Sequence, residues 1–335
     1  MAGITFTEGS GLNNSIFGKS QAPIRMFLEA RGESFEQDSI IKNLFQMGKS
    51  SHYGEKFTGL TAMNGFVPVG ELGSHPVDEQ QEGYDKTLEH MTWKDSFAIS
   101  REIIEDGKLI DLKKKPGGFI KGYYRTRENF GAALFGGALG GDTAVGFAGK
   151  VFSATAADGL SLFNAAHTAK MTSTTQSNIY EDVFSADALA AAETAMQNFT
   201  GDNDEILDVA PDTIVIPNLY ALKKAVFAAV GADKDPETAN NGFNYQFGRW
   251  NIIVWAYLNK YISSGTAPWL LLDSQYNDEY GGAVWLDRTA LEVDSDVDKN
   301  TNANVWRGYA RFIAGFNDWR FAAAGGVSGG STLIA

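Results

Sequence analysis

The hydrophobic and polar positions between residues 52 and 94 predict a long β-hairpin rather than part of a core. Residues 66–72 and 84–93 each have the pattern of a strand, and the connection 73–83 between them is polar and acidic. Neither face of the second strand is strongly apolar, since Asp85, Thr87 and Glu89 alternate with Tyr84, Lys86, Leu88 and His90. Because an isolated two-stranded ribbon is only marginally stable in water, we expect this hairpin to lie on another surface, such as a second subunit.

The residues before the hairpin predict an arm with one short amphipathic helix. Gly, Ser and Asn dominate up to Ser20, and residues 35–47 carry an apolar stripe at helical spacing. The stripe consists of Ile40, Ile41, Leu44, Phe45 and Met47. Alone, this segment buries little, so it needs a surface on which to lie.

A longer helix is predicted over 116–139. Ser100 can cap a short helix that ends at Gly107, and Pro116 suits the first turn of the next helix. One face of this helix is apolar and the opposite face is charged: Phe119, Tyr123, Phe130 and Leu134 against Lys121, Arg125 and Glu128. We expect the apolar face to be buried and the charged face to lie outside. The helix ends in a small, glycine-rich run, 136–141.

From residue 185 the pattern alternates between helices and strands and then becomes all β. Ser185 is predicted to cap an alanine-rich helix, and Asn218 to cap a helix through Val230. Strands are predicted at 212–217, 252–255, 269–272, 284–286, 291–293, 305–312 and 319–321. The fold class is therefore α+β.

Composition narrows the function classes. The chain has 335 residues, of which 44% are hydrophobic, so it can bury a sizeable core in roughly two domains. It has no cysteine, which excludes disulfides, thiolate zinc sites and cysteine nucleophiles. A net charge of -13 argues against wrapping nucleic acid by bulk charge. The start lacks the basic and apolar regions of a targeting segment, and we expect a soluble protein made inside the cell.

Three partial motifs lack the residues that their chemistry needs. The two Gly-Lys-Ser runs, 18–20 and 48–50, have Asn where a phosphate-binding loop needs its first Gly. The Gly-x-Ser-x-Gly run at 326–330 has no His downstream. The Asp spacing at 294–298 opens a calcium loop, but Lys299 and Val305 replace its Gly and Glu. We therefore predict no catalytic residue, no cofactor and no metal site.

The four histidines are scattered singly, with no His-x-x-x-His spacing for zinc. His167 follows the apolar run 162–166 and is expected to be a buried structural group. The opposing hypothesis is an acidic hydrolase or binding domain, active as a small oligomer, that uses His167 with nearby carboxylates.

Four stretches, in this order and spacing, resemble the major capsid proteins of tailed bacteriophages, whose fold is shared with encapsulin shells. They are the passage from Tyr84 to Asp111 with its Ile-Ser-Arg-Glu run at 99–102, the run Asp158–Asn164 followed by His167, the strand Pro211–Pro217, and the segment from Val305 to Arg320. Together they span roughly residues 50 to 322.

This resemblance implies five parts of the chain. They are an N-terminal arm (1–51), an extended hairpin loop (52–93), a peripheral domain with a spine helix (94–150), an axial domain (151–285), and strands that return to the peripheral domain with a C-terminal tail (286–335).

The resemblance also implies the function and partners. Hexamers and pentamers of one chain would close an icosahedral phage head around double-stranded DNA, without sequence-specific binding and without a membrane. The hairpin begins too early in the chain for a long cleaved N-terminal scaffolding region, so a separate scaffold protein is expected, together with a portal and a cement protein. The protein would be made in the bacterial host cytoplasm and end in the virion. An encapsulin-like compartment shell is the alternative within the fold.

The expected contacts between subunits pair acidic residues near the hairpin with basic residues of another subunit. The residues assigned to these contacts are Glu71, Asp78, Glu79, Glu82, Lys86, Arg101, Lys121 and Arg125.

Overall fold

The computed structural model describes residues 39–60, 66–71, 73–75, 82–105, 109–231, 244–263 and 265–334, with the single residues Gly32, Phe35 and Val77. Its strands are β1 (Gln46–Lys49), β2 (Gly54–Leu60), β3 (Glu82–Glu89), β4 (Met91–Ile99), β5 (Ala144–Phe147), β6 (Lys150–Ser153), β7 (His167–Thr168), β8 (Thr175–Gln176), β9 (Thr213–Pro217), β10 (Asn251–Trp255), β11 (Trp269–Leu272), β12 (Ala283–Val297), β13 (Asn304–Phe316) and β14 (Ala322–Gly325). Its helices are α1 (Ile41–Leu44), α2 (Arg101–Glu105), α3 (Leu109–Leu139), α4 (Ala186–Gln197), α5 (Tyr220–Val230), a 3-10 turn (Ala256–Lys260) and α6 (Ser274–Tyr280).

The first sheet has the strand order β1-β12-β13-β4 and carries the longest strands of the described chain. The strand β1 runs parallel to β12, and the other neighbours are antiparallel. The predicted strands 284–286 and 291–293 are one strand, β12, because irregular register between Asp287 and Glu292 interrupts its alternation without ending it.

The helix α3 packs its apolar face on this sheet, as predicted. Phe130 and Leu134 are fully buried, and the Phe130 ring lies 5.5 Å from Trp93 and 5.9 Å from Trp285, centroid to centroid. The helix starts at Leu109 rather than at Pro116. Leucine and lysine favour a helix before this proline, and one missing backbone hydrogen bond does not outweigh them.

The helical pattern placed Glu128 on the charged outer face, and this prediction is wrong. The residue is buried. Its Oε1 accepts hydrogen bonds from Ser39 Oγ at 2.7 Å and from the Ile40 amide at 2.9 Å. Its Oε2 accepts a hydrogen bond from Trp255 Nε1 at 3.2 Å. The carboxylate therefore fastens the chain just before α1 to the middle of α3, and so supplies part of the surface that the arm segment needs.

The glycine-rich end of α3 allows other segments to approach closely. A Cβ atom at Gly131 would lie 2.4 Å from Ile41 Cδ1, and one at Gly137 would lie 2.1 Å from Val145 Cγ2. Both distances are far below van der Waals contact, so a larger side chain at either position would push these segments apart.

The second sheet has the strand order β10-β9-β11-β14 and is covered by α4 and α5. Ser185 caps α4 as predicted, because its side chain accepts from the Ala188 amide. The predicted cap at Asn218 is wrong: Leu219 occupies the N-cap position, and the Asn218 amide donates to Asn259 Oδ1 at 2.7 Å. The predicted strand 319–321 is also wrong, since β14 starts at Ala322.

Strands β2 and β3 form an antiparallel hairpin, but its first strand lies earlier than predicted. Residues 66–70 form no strand, because Pro68 has no N–H to donate to a ladder. The predicted second strand 84–93 divides at His90 into β3, which belongs to the hairpin, and β4, which belongs to the first sheet. The arm helix is shorter than predicted at its end, since Met47 lies in β1; residues 36–38 lie outside the described residues.

Candidate functional site

The hairpin is anchored on its own chain at several points, the first of which is Lys86. Lys86 Nζ donates to Ser153 Oγ at 2.8 Å and to Thr155 Oγ1 at 2.6 Å. Burial lowers the pKa of Lys86, and the nearby Asp158 carboxylate offsets only part of this effect. Lys86, one of the residues predicted at subunit contacts, thus already joins β3 to the last residue of β6 and to the segment that follows it.

The start of β3 is held by a second lysine, which sequence reasoning missed. Lys170 Nζ donates to the carbonyl oxygens of Glu82 at 3.0 Å and Gly83 at 2.6 Å. The hydroxyl of Tyr84 donates to the Thr168 carbonyl at 3.2 Å. These bonds leave the Glu82 carboxylate uninvolved, and the residue itself is exposed.

The end of β3 lies against the first sheet. Leu88 is buried, and a Cβ atom at Gly315 would lie only 2.5 Å from Leu88 Cδ2. The glycine therefore makes room for Leu88 on β13. We call the strands β2 and β3, with these three attachments, the hairpin base.

The chain between β2 and β3, residues 61–81, is here called the hairpin connection. Phe66 is fully exposed, Val67 and Val69 are exposed, and the acidic Glu71 follows them. Asp78 and Glu79, two of the predicted contact residues, lie outside the described residues. A run of exposed apolar side chains of this kind is typical of a surface that another molecule covers.

The predicted basic contact residues lie on the helices that follow the first sheet's outer strand. Lys121 and Arg125 are exposed on α3, and Arg101 is exposed at the start of α2. Among the described residues, no ion pair joins Glu71, Glu82, Lys121 or Arg125 to another side chain. These four residues are therefore not paired with one another in the described part of the chain.

A cleft of about 580 Å³ opens beside the hairpin base. Its lining includes the aromatic rings of Phe57, Tyr84 and Tyr280 and the side chain of Arg320. Among the described residues, no group of three His, Asp or Glu side chains is arranged to hold a metal ion, here or elsewhere. No helix in the described ranges is both long and apolar enough to cross a membrane.

Arg320 connects the elements behind this cleft. Its guanidinium forms ion pairs with Asp202 at 3.0 Å and Asp318 at 3.3 Å, and its Nε donates to the Thr200 carbonyl at 2.9 Å. Burial opposes the charge, but Asp318, Tyr276 and Asp202 outweigh it and raise the pKa of Arg320. The Arg320 side chain therefore links the segment around Thr200 and Asp202 to the turn that contains Asp318.

His167 is a structural residue, as predicted. Its ring is fully buried and stacks on Trp319, with centroids 4.3 Å apart. Nδ1 lies 2.5 Å from Asp158 Oδ2, and Nε2 lies 3.2 Å from the Leu162 carbonyl oxygen. Because both ring nitrogens are occupied and the ring has no exposed surface, His167 cannot reach a substrate. The geometry gives no support to the hydrolase hypothesis.

The acidic run 294–298, which continues one residue beyond β12, also has a structural role at its end. Asp298 accepts hydrogen bonds from the Asn300 amide at 3.0 Å and from Thr301 Oγ1 at 2.7 Å, which holds the turn between β12 and β13. These backbone and side-chain bonds lower the pKa of Asp298.

The fold resembles that of solved phage structures. The capsid structure of cyanophage P-SCSP1u matches with a TM-score of 0.52 and 10% identity, over 86% of this chain and 87% of that chain. A chain of Mycobacterium phage Patience matches with a TM-score of 0.50 and 11% identity, over 97% of this chain and 92% of that chain. The α+β architecture is the major capsid protein fold of tailed phages.

The sequence identifies the family. The model of the phage capsid protein family matches residues 84–325, which is more than half of the chain. The chain belongs to the phage capsid protein family and is a capsid shell protein, a structural component of the virion. No curated protein sequence matches it.

Proposed function

We propose that this chain is a major capsid protein that assembles as hexamers and pentamers into an icosahedral head around double-stranded DNA. The observation that carries the proposal is the contrast within the hairpin, whose base is bonded to its own chain while Phe66, Val67 and Val69 of the connection are exposed. Burying such apolar surface contributes about 25 cal/mol per Å². A second copy is the partner that a capsid shell provides at every such position.

The acidic residues of the hairpin connection and the start of β3 meet basic residues of a second copy. The acidic set is Glu71, Asp78, Glu79 and Glu82, and the basic set is Arg101, Lys121 and Arg125. Lys86, assigned to these contacts from the sequence, supports them indirectly by fixing β3. A single exposed ion pair contributes only about 0.2–1 kcal/mol. In a closed shell the same contact recurs in every subunit, and each incoming subunit meets several partners at once.

The five parts predicted from the sequence, with bounds 1–51, 52–93, 94–150, 151–285 and 286–335, remain part of this proposal. A separate scaffold protein, a portal and a cement protein complete the particle, and the chain is made in the bacterial host cytoplasm. The chain has a net charge of -13. Where this charge faces the interior of the shell, it repels the phosphates of packaged DNA and so prevents tight binding.

The first test is negative-stain electron microscopy with size-exclusion chromatography, on the purified chain with and without its gene neighbours. We expect closed shells, tubes, or rings of five or six subunits. Replacing Phe66 by serine should abolish these assemblies and leave a folded, unassembled chain. The matched control is Val183→Ser, since Val183 is another exposed apolar residue and lies outside the hairpin. A monomer or dimer under every condition, including with a scaffold protein, contradicts the proposal.

A second test concerns charge. Glu71→Lys or Arg101→Glu should slow assembly severalfold and impair it more than the folding of the unassembled chain. Normal particle yields from both variants would exclude the proposed charge pairing.

A further inference from the structure

Buried polar atoms without a hydrogen-bond partner occur where the hairpin base meets the first sheet. His90 joins β3 to β4 and is only 5% exposed, yet neither of its ring nitrogens has a hydrogen-bond partner. The great majority of buried polar side-chain atoms in proteins have a partner. A buried ring with both nitrogens unpaired therefore needs an explanation.

The strand register places two arginines at the same level of the sheet. Arg311 pairs with Thr92 on β4 and with Thr289 on β12. His90 precedes Thr92 by two positions, and Arg288 precedes Thr289 at the irregular point of β12. Among the described residues, neither arginine forms an ion pair, and Arg311 Nε is buried without a hydrogen-bond partner.

The nearby carboxylates are already engaged. Asp287 accepts two hydrogen bonds from Arg127, each of 3.0 Å, and Glu55 Oε1 accepts one from Ser50 Oγ at 2.6 Å. Burial, Arg288 and Arg311 lower the pKa of His90, while Glu55 and Asp287 offset part of this effect. Within the described ranges, the two arginines thus carry charge with which no carboxylate forms an ion pair.

We propose that His90, Arg288 and Arg311 form a binding site for an oxyanion. A guanidinium fork matches the two oxygens of a carboxylate or phosphate, and such charge-assisted bonds are the strongest hydrogen bonds that proteins make. An anion between the arginines would also supply an acceptor near His90. The oxyanion is either free phosphate or a carboxylate of a second copy; only the second source rests on the proposed function.

The first experiment uses the unassembled full chain and inorganic phosphate, titrated in a calorimeter at constant ionic strength. We expect saturable binding that weakens at least tenfold in Arg288→Gln and Arg311→Gln. Arg307→Gln is the matched control, since Arg307 lies on β13 too but is exposed and paired with Asp296 at 3.5 Å. Arg288→Lys, which keeps the charge and loses the fork, should bind with intermediate affinity.

A second readout is the titration of His90 followed by NMR. A bound anion favours the protonated ring, so phosphate should raise the pKa of His90 in the wild type and leave it unchanged in Arg288→Gln. A merely structural role of the arginines would not produce this phosphate-dependent shift.

Particle yield in phosphate-free buffer distinguishes the two sources of the oxyanion, free phosphate and a carboxylate of a second copy. If phosphate does not bind but Arg288→Gln lowers particle yield and Arg307→Gln does not, the oxyanion is a carboxylate of a second copy. If phosphate binds the unassembled wild type and binds Arg288→Gln more weakly, the free anion is the ligand, whatever the particle yield. Equal phosphate response and equal particle yield in all variants overturn the proposal.

Discussion

The hairpin base and the hairpin connection use side chains in opposite ways. The base buries Leu88 and uses two lysines to bond the strands to their own chain. The connection leaves Phe66 and the neighbouring valines exposed. A flexible ribbon would lose conformational freedom each time it bound a neighbour. An anchored base would remove much of that cost beforehand, which is what the proposed contact with a second copy requires.

The largest expected effect separates stability from assembly. Replacing Leu88 by alanine removes a buried side chain and should lower the free energy of unfolding by about 2–5 kcal/mol. The same truncation at Phe66 should change it by no more than about 0.5 kcal/mol, because this side chain is exposed. Urea unfolding of the unassembled variants measures both. Equal losses of stability would erase the distinction between base and connection.

A smaller expected effect tests the contact between Gly315 and Leu88 in the hairpin base. Gly315→Ala places a Cβ atom against Leu88 and should cost about 1–3 kcal/mol. In the Leu88→Ala background the same change should cost less, because the obstructing atoms are gone. Gly146→Ala is the control, since its added Cβ meets nothing within 4 Å. Strict additivity of the Gly315 and Leu88 changes would show that the two residues do not contact each other.

The smallest expected effect is the contribution of His90 to the pH dependence of the free energy of unfolding. The pKa of His90 is lowered in the folded chain from its ordinary value of 6.5. Around and below pH 6.5, the unfolded chain therefore binds more protons at this residue than the folded chain does. The free energy of unfolding should therefore fall as the pH drops from 6.5 to 5 in phosphate-free buffer. His90→Gln should reduce this fall, whereas the same substitution at the exposed His52 should not. Identical pH profiles for wild type and His90→Gln would contradict the assignment.

The sequence predicted best what depends on neighbouring positions in the chain. The apolar face of α3 follows from helical spacing, and the Ser185 cap from a side chain three residues from its donor. The strand predicted at 66–72 is not formed at 66–70, because Pro68 has no N–H to donate and apolar alternation does not say what an apolar residue faces. Here it faces solvent in the isolated chain, which is also why the position suits an intermolecular contact.

Residues that act across long distances in the chain escaped sequence reasoning. Glu128 has the spacing of an outer-face residue, and only the placement of Ser39 and Trp255 makes its burial favourable. Arg320 likewise depends on partners more than 100 positions away, Thr200 and Asp202. Of the predicted contact residues that the structure describes, Lys86 has a defined role, and that role lies within the chain.

The glycine-lined end of α3 has a mechanical consequence. A helix rises about 1.5 Å per residue, so the 31 residues of α3 extend about 46 Å. A tilt of about five degrees at one end displaces the other by about 4 Å over this length. The tilt of α3 depends on how closely Ile41 and Val145 can approach its backbone at Gly131 and Gly137. Adding one methyl group at Gly131 or Gly137 would alter the outline of the subunit far from the substitution, and with it the curvature of any lattice built from it.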